Sequence, residues 1–277
     1  MAGMTSTTPT QNPFAAVDRA PATIQAAVVE GLDSTAAHPG IERVRAVAWD
    51  ALRPAPGQRL LDAGCGTGAV ARALGAAVGP AGRVVALDAS EWLLAVAVER
   101  HDGGPVDYAV GDLTALDLPD GGFDGVHCER VLQHVSDPDA AVGELARVTA
   151  SGGRVCLIDT DWESFAIDGP PEDLVTALRS HFLNLPVLHH SSMGRTLRGR
   201  LVRAGLVGVT AEPVTIAFLS AVDAARVVPV FRRDLPPGVA VFPEDLREPW
   251  FAALDATEAR GDLLAALTIW VATGHKP

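Results

Sequence analysis

The residues with the clearest chemical content are Leu60-Leu61-Asp62-Ala63-Gly64-Cys65-Gly66-Thr67-Gly68. An apolar run reaches an acid, then a turn with glycine at every second position. Glycine is needed there because the backbone must turn sharply and let a ligand approach where a Cβ would intrude. Asp88 stands twenty residues beyond Gly68. At the end of the next predicted strand, its carboxylate is placed to accept hydrogen bonds from both hydroxyls of a ribose. A second group, Glu129-Arg130-Val131-Leu132-Gln133-His134, follows the fourth predicted strand at the mouth of the sheet, where ligands of open α/β sheets sit. His134 is a candidate general base, because an unperturbed imidazole titrates near neutrality. The reading that comes ahead of it is a residue that caps or orients the loop before Val135 and Pro138.

These groups need a scaffold, and the chain supplies one. The pattern predicts strands over Arg59–Ala63, Val84–Asp88, Val106–Val110, Asp124–Cys128 and Arg154–Ile158. Helices are predicted over Ala69–Val78, Glu91–Arg100 and Asp137–Thr149. Strands alternating with helices imply parallel βαβ units, hence an α/β, doubly wound sheet with helices on both faces. Ahead of it, residues 1–13 read as a mobile tail and residues 14–56 as cap helices (Ala15–Ala37, interrupted at Gly31, and Ile41–Leu52). Residues 57–277 form the main domain. After Asp161 the rhythm breaks, and an insertion over about 162–192 reads as a lid with helical spacing at Glu172–Leu183. Beyond it come a helix over Arg195–Ala204, a strand over Val207–Pro213, a helix near Trp250–Arg260 and a last strand over Leu264–Ala272.

The formal net charge of −12 and a single lysine, Lys276, argue against a phosphate-backbone partner. Arg195, Arg198, Arg200 and Arg203 are expected on the solvated face of a helix. Cys65, Cys128 and Cys156 are odd in number and lie outside any spaced Cys/His cluster, so neither a disulfide framework nor a zinc site is expected. No metal is expected elsewhere: His181, His189 and His190 lack ligand spacing, and Asp159 with Asp161 are only two carboxylates. Without a leader or a spanning apolar run, a cytoplasmic chain with no membrane partner is expected.

The spacing of Gly64, Gly66 and Gly68 separates this turn from that of nicotinamide dehydrogenases, where two residues stand between the second and third glycines. The sequence resembles the class I S-adenosylmethionine (SAM)-dependent methyltransferases, whose signature is an apolar strand, an acid and a GxGxG turn. Asp88-Ala89-Ser90, Gly111-Asp112-Leu113, the run Leu118–Asp124 and the run Arg147–Arg154 extend the likeness over about Leu60–Asp159. The branch resembled contains ubiquinone- and menaquinone-biosynthesis and natural-product methyltransferases. Many relatives carry a basic residue and proline where this chain has Ala150-Ser151, which implies a local difference only.

The resemblance implies a Rossmann-like, seven-stranded, mostly parallel sheet that binds SAM and releases S-adenosylhomocysteine. Asp62, Gly64, Cys65, Gly66 and Gly68 belong to its cofactor turn, Asp88 and Ala89 to its ribose step. Gly111, Asp112 and Leu113 are placed at the adenine, and Glu129 and Arg130 at the methionine end. Asp159, Asp161 and Trp162 are expected on the acceptor side. The sulfonium is already activated, so the protein chiefly holds the acceptor in line and excludes water. Apolar lid residues (Leu174, Phe182, Leu185, Val187, Leu188) point to a small, largely apolar acceptor, and the resemblance to natural-product methyltransferases implies secondary metabolism. A nucleic-acid acceptor is disfavoured, since the chain lacks an Asn/Asp-Pro-Pro-aromatic loop. Two alternatives stay open: the fold recruited for other chemistry such as cyclisation, or a SAM-binding regulatory module.

Overall fold

Short apolar runs become strands because both of their faces are covered. The computed structural model describes residues 17–185, 189–235 and 243–277, with the backbone alone at Glu244. The predicted tail, Val187 and Leu188 lie outside the described residues. Elements are numbered in chain order. β1 (Arg59–Ala63), β2 (Arg83–Asp88), β3 (Val106–Val110), β4 (Phe123–Glu129) and β5 (Thr149–Asp168) are parallel neighbours in the order 3-2-1-4-5. β7 (Leu264–His275) pairs antiparallel with β5 and with the edge strand β6 (Val207–Phe218), completing a seven-stranded sheet ordered 3-2-1-4-5-7-6.

Alternate strand residues enter two cores. Leu60, Val84 and Cys156 face a layer that includes Ile41, Val44 and Ala48 of α2 (Pro39–Leu52) and Leu74 of α3 (Ala69–Val78). Leu61, Val126 and Leu157 face Leu145 of α5 (Pro138–Val148) and Leu197 of α7 (Met193–Arg203). This double coverage is why the parallel strands read as continuous apolar runs rather than alternating ones. Both connecting helices start on a cap: Ser90 Oγ accepts from Leu93 N ahead of α4 (Glu91–Glu99), and Asp137 does so from Ala140 N ahead of α5.

The structure departs from the sequence reading in three places. Gly31 does not interrupt α1 (Ala22–Ala36); the space its missing Cβ leaves lies 3.2 Å from Arg232 Nη1. The fifth strand is much longer than predicted, because β7 pairs with it on both sides of a register shift between Asp161 and Ala166. The first seven residues of the expected insertion, 162–168, are therefore strand. α6 (Glu172–Leu183) then follows with the predicted bounds. Last, β6 runs past Pro213 to Phe218, which an edge strand tolerates since proline withholds only one donor. α8 (Ala221–Ala224) and α9 (Glu244–Arg260) complete the chain's helices among the described residues. None of those helices is long and apolar enough to cross a membrane.

Candidate active site

β1 and β2 end side by side, with Ala63 opposite Leu87. The turn after β1 is tied down at once: Gly64 N and Cys65 N both donate to Leu87 O, at 2.7 and 2.8 Å. Gly64, Gly66 and Gly68 take φ of 78°, 52° and 76°, a region that strains any residue with a Cβ. The three serve different ends. A Cβ on Gly64 would overlap Val131 Cγ2, so this glycine lets the loop after β4 cross the turn. A Cβ on Gly68 would sit 2.9 Å from Tyr108 Oη, so that position packs α3 against β3. At Gly66 the nearest atom would be Leu32 Cδ1, at 3.8 Å.

That open ground belongs to a cavity of about 380 Å³. Its wall includes Asp62, Gly64, Cys65, Gly66, Asp88, Ala89, Asp112, Leu113, Glu129, Arg130 and His134, with Leu32 and Ala36 of α1 as a roof. Gly68 and Gly111 are the two expected contact residues that do not line it. Gly68 works through packing, and Gly111 N donates to Asp88 O at 3.0 Å, so it acts by joining β2 to the turn after β3. The Asp88 carboxylate is oriented by Gly66 N at 2.8 Å and Ser90 N at 3.0 Å. Burial pushes its pKa up, and those two N–H groups offset part of the rise. His134 sits in a single 3₁₀ turn, Leu132–His134.

The wall also holds a charged chain that sequence reasoning missed. Asp62 and His127 are register partners on β1 and β4, and Asp62 Oδ1 meets His127 Nδ1 at 2.8 Å. His127 Nε2 lies 3.8 Å from Glu129 Oε2. Arg45 of α2 grips the same carboxylate in a two-pronged pair, Nε to Oε2 at 3.0 Å and Nη2 to Oε1 at 2.9 Å. Burial works to raise the Glu129 carboxyl, but Arg45, His127 and Arg130 hold it below the usual range. An imidazole inside the otherwise apolar run Val126-His127-Cys128 was the available signal, because a charged-capable ring in a doubly covered strand needs a partner.

Residues expected on the acceptor side have another use. Asp159 is buried and does not line the cavity; it accepts from Gln133 N at 3.1 Å and Thr160 N at 2.9 Å, and burial pushes its pKa up to about 7. Asp161 forms a two-pronged pair with Arg195, both contacts at 2.6 Å. Trp162 Nε1 donates to Gln133 Oε1 at 2.6 Å. Asp159 and Trp162 brace the loop after β4 from behind, while Asp161 ties β5 to α7. Leu174, Phe182 and Leu185 enter the core instead of the cavity, Phe182 meeting the Trp162 ring edge-on at 5.1 Å. His190 Nε2 lies 3.0 Å from Val135 O, so it too supports that loop. Arg195, Arg200 and Arg203 pair with acids of this chain (Asp161, Asp139 and Asp139). Among the described residues no group of three or more His, Cys, Asp or Glu side chains is placed to hold a metal. All three thiols are buried, and burial pushes each pKa up, so none is primed as a nucleophile.

Residues 61–157 match the family described as a methyltransferase domain. An uncharacterised transposon protein of Streptomyces fradiae is 33% identical over 245 residues, covering 88% of this chain and 70% of its own. Residues 61–157 form a methyltransferase domain of the SAM-dependent kind. A 2-phytyl-1,4-naphtoquinone methyltransferase of Synechocystis is 37% identical to this methyltransferase over 123 residues, 43% of this chain and 51% of its own. The match thus spans about half the length of that curated relative. The YcgJ protein of Bacillus subtilis shares this fold, with a TM-score of 0.57 at 19% identity over 83% of this chain and 97% of that one. SAM is the family's cofactor, and the wall suits it. Asp62 Oδ2 is buried with no partner among the described residues, ready for a ligand donor, and opposite Gly66 nothing comes nearer than Leu32 Cδ1 at 3.8 Å.

Proposed function

We propose that this methyltransferase moves a methyl group from SAM to a small, largely apolar metabolite by in-line displacement, in secondary metabolism. A quinone-like ring is the acceptor class suggested by the Synechocystis relative. One observation carries the reading: a single cavity is walled by the glycine turn, Asp62, Asp88, Asp112 and His134 together. SAM supplies a methyl group already activated on sulfur. The chain's own residues bind, orient and shield. Asp88 would take the ribose, Asp112 and Leu113 the base, and Asp62 the ammonium group, in line with the open α/β arrangement. Leu32 and Ala36 close the roof and exclude water. His134 would receive the proton of a hydroxyl or amine acceptor.

Calorimetric titration with SAM and S-adenosylhomocysteine tests the first part. Asp88→Ala removes charge-assisted hydrogen bonds worth about 1.5–3 kcal/mol, so affinity should drop about 10- to 150-fold. A folded wild type that binds neither compound would sink the reading. His134→Gln should leave the S-adenosylhomocysteine Kd unchanged while lowering kcat for a hydroxyl acceptor by about 100-fold. An unchanged kcat would reduce His134 to a loop-shaping residue.

A further inference from the structure

Three ionisable side chains stand where the face of the sheet under α2 is otherwise apolar. Asp62 shares its face of β1 with Leu60, and His127 and Glu129 share theirs of β4 with Gly125, because alternate strand residues point the same way. α2 covers that face: Leu60 packs in its layer, and a Cβ on Gly125 would meet Leu60 Cδ2 and Leu52 Cδ1. The side chains of Asp62, His127 and Glu129 are only 3%, 4% and 10% exposed, so each polar atom there needs a partner. α2 supplies one in Arg45, set among its buried residues Ile41, Val44 and Ala48.

The four side chains stand in series. Arg45 grips Glu129 with two prongs, Glu129 Oε2 lies 3.8 Å from His127 Nε2, and His127 Nδ1 meets Asp62 Oδ1 at 2.8 Å. The free end of the series is Asp62 Oδ2, buried and without a partner among the described residues, on a residue that lines the cavity. One end of the series is felt at the other. Burial works to lower the Arg45 pKa, but Glu129 and then Asp62 hold it above its ordinary value.

We propose that Arg45, Glu129 and His127 are positioning residues through which cap helix α2 sets the hold of Asp62 on a ligand's ammonium group. A neutral imidazole carries one N–H, at Nδ1 or at Nε2, and here a carboxylate faces each nitrogen. Arg45 decides between them: it satisfies Glu129, so the ring keeps its proton at Nδ1 and donates to Asp62 Oδ1. That bond fixes the carboxylate and leaves Oδ2 for the ligand. Without Arg45, Glu129 competes for the ring proton, and Asp62 loses its donor. The inference rests on the methyl-transfer reading, in which Asp62 takes the ammonium group, and adds the residues that make it fit to do so.

Calorimetry on the full chain tests this, with S-adenosylhomocysteine titrated beside 5′-methylthioadenosine, the same nucleoside thioether without the amino-acid end. The variants are His127→Asn, His127→Gln, Arg45→Met and the last two combined. The amide nitrogen of Asn sits one bond from Cγ, as Nδ1 does; that of Gln sits one bond further, as Nε2 does. His127→Asn should therefore keep the S-adenosylhomocysteine Kd within about threefold, while His127→Gln raises it about 10-fold. Arg45→Met should also raise it about 10-fold, and the double variant by no more than about twofold beyond either single one, since both act through Asp62. 5′-Methylthioadenosine should bind every variant within about twofold of wild type.

Additive losses in the double variant mean that Arg45 touches the ligand directly, and overturn the proposal. Equal losses in His127→Asn and His127→Gln, or equal losses on the two ligands, mean that the series only holds α2 on the sheet, and overturn it as well. So does unchanged S-adenosylhomocysteine binding in His127→Gln and Arg45→Met. A wild type that binds neither ligand sinks the methyl-transfer reading instead. If Arg45→Met does not fold, because it strands the buried Glu129 charge, Arg45→Lys takes its place. Lysine keeps the charge without the two-pronged grip, so the loss should be about threefold and confined to S-adenosylhomocysteine.

Discussion

The two ends of the cavity are built by different means. At the nucleoside end the backbone does the positioning: Gly64 N and Cys65 N bond to Leu87 O, and Gly66 N bonds to the Asp88 carboxylate. At the end after β4, side chains from separate elements do it. Arg45 reaches Glu129 across 84 residues, His127 reaches Asp62 across 65, and Trp162 reaches Gln133 across 29. A backbone-built subsite needs glycine at fixed spacing, and it tolerates no substitution of that spacing. A side-chain-built subsite needs only that distant partners arrive together, and its members can be exchanged in pairs.

The sharpest way to break this comparison is to add one methyl group at each of two glycines. Gly64→Ala meets both the strain of its positive φ, about 1–2 kcal/mol, and the overlap with Val131, about 1–3 kcal/mol. The expected loss is about 2–5 kcal/mol in urea unfolding, with S-adenosylhomocysteine binding lost as well. Gly66→Ala has only the strain to bear, since its nearest neighbour lies at 3.8 Å. It should fold, melt within several degrees of wild type, and bind S-adenosylhomocysteine at least about 10-fold more weakly because the new methyl enters the cavity. Normal binding by Gly66→Ala would show that the turn does not hold the ligand through its backbone.

Asp159 tests the other end. Its pKa in the folded protein is pushed up to about 7 by burial, well above the value of about 4 of an unfolded chain. Below about pH 4 both states hold the proton. Between about pH 4 and 7 the folded protein keeps a proton that the unfolded chain has lost, so this group's contribution falls as pH rises, by on the order of 4 kcal/mol, and is flat above. Most carboxylates act in the opposite sense. Asp159→Asn should flatten that slope in urea titrations from pH 4.5 to 8. A slope unchanged in the variant would mean that Asp159 stays charged across the range, held so by Arg130.

This contrast also sets what the sequence could reveal. The order of strands and helices through β5 follows from apolar runs and caps that act within a few residues, so those elements were legible. So were the turn and Asp88, because their spacing is a property of one βαβ unit. The length of β5 was not, since residues 162–168 are strand only because Leu264, Ala265 and Ala266 pair with their end from nearly a hundred residues away. Arg45 and His127 escaped notice for the same reason: on their own segments they read as a helix charge and a stray imidazole. Phe182 and Leu185 misled, because an apolar face says that something is covered without saying whether by a ligand or by Trp162 and the rest of the core.

The smallest expected effect concerns the roof. α1 buries only Thr35 of its fifteen residues, so it contributes little apolar contact. Side chains tie it down instead. Asp18, just ahead of it, accepts from Ser90 Oγ and from Glu91 N and Trp92 N, both at 3.1 Å, at the start of α4. Asp33 pairs with Arg100 at 2.7 and 2.9 Å near the end of α4. The second contact is solvent-exposed and worth well under about 1 kcal/mol, while the first is a helix cap worth about 1 kcal/mol. A roof held this loosely can lift without unfolding the floor. Asp18→Ala should therefore lower stability by only about 1 kcal/mol. In stopped-flow measurements, S-adenosylhomocysteine should bind and leave several-fold faster, with Kd changed less than about threefold, because the variant frees the doorway without touching the wall. Unchanged rates would mean the ligand enters past the loop after β4 instead, and the division between a rigid floor and a yielding roof would have to be drawn elsewhere.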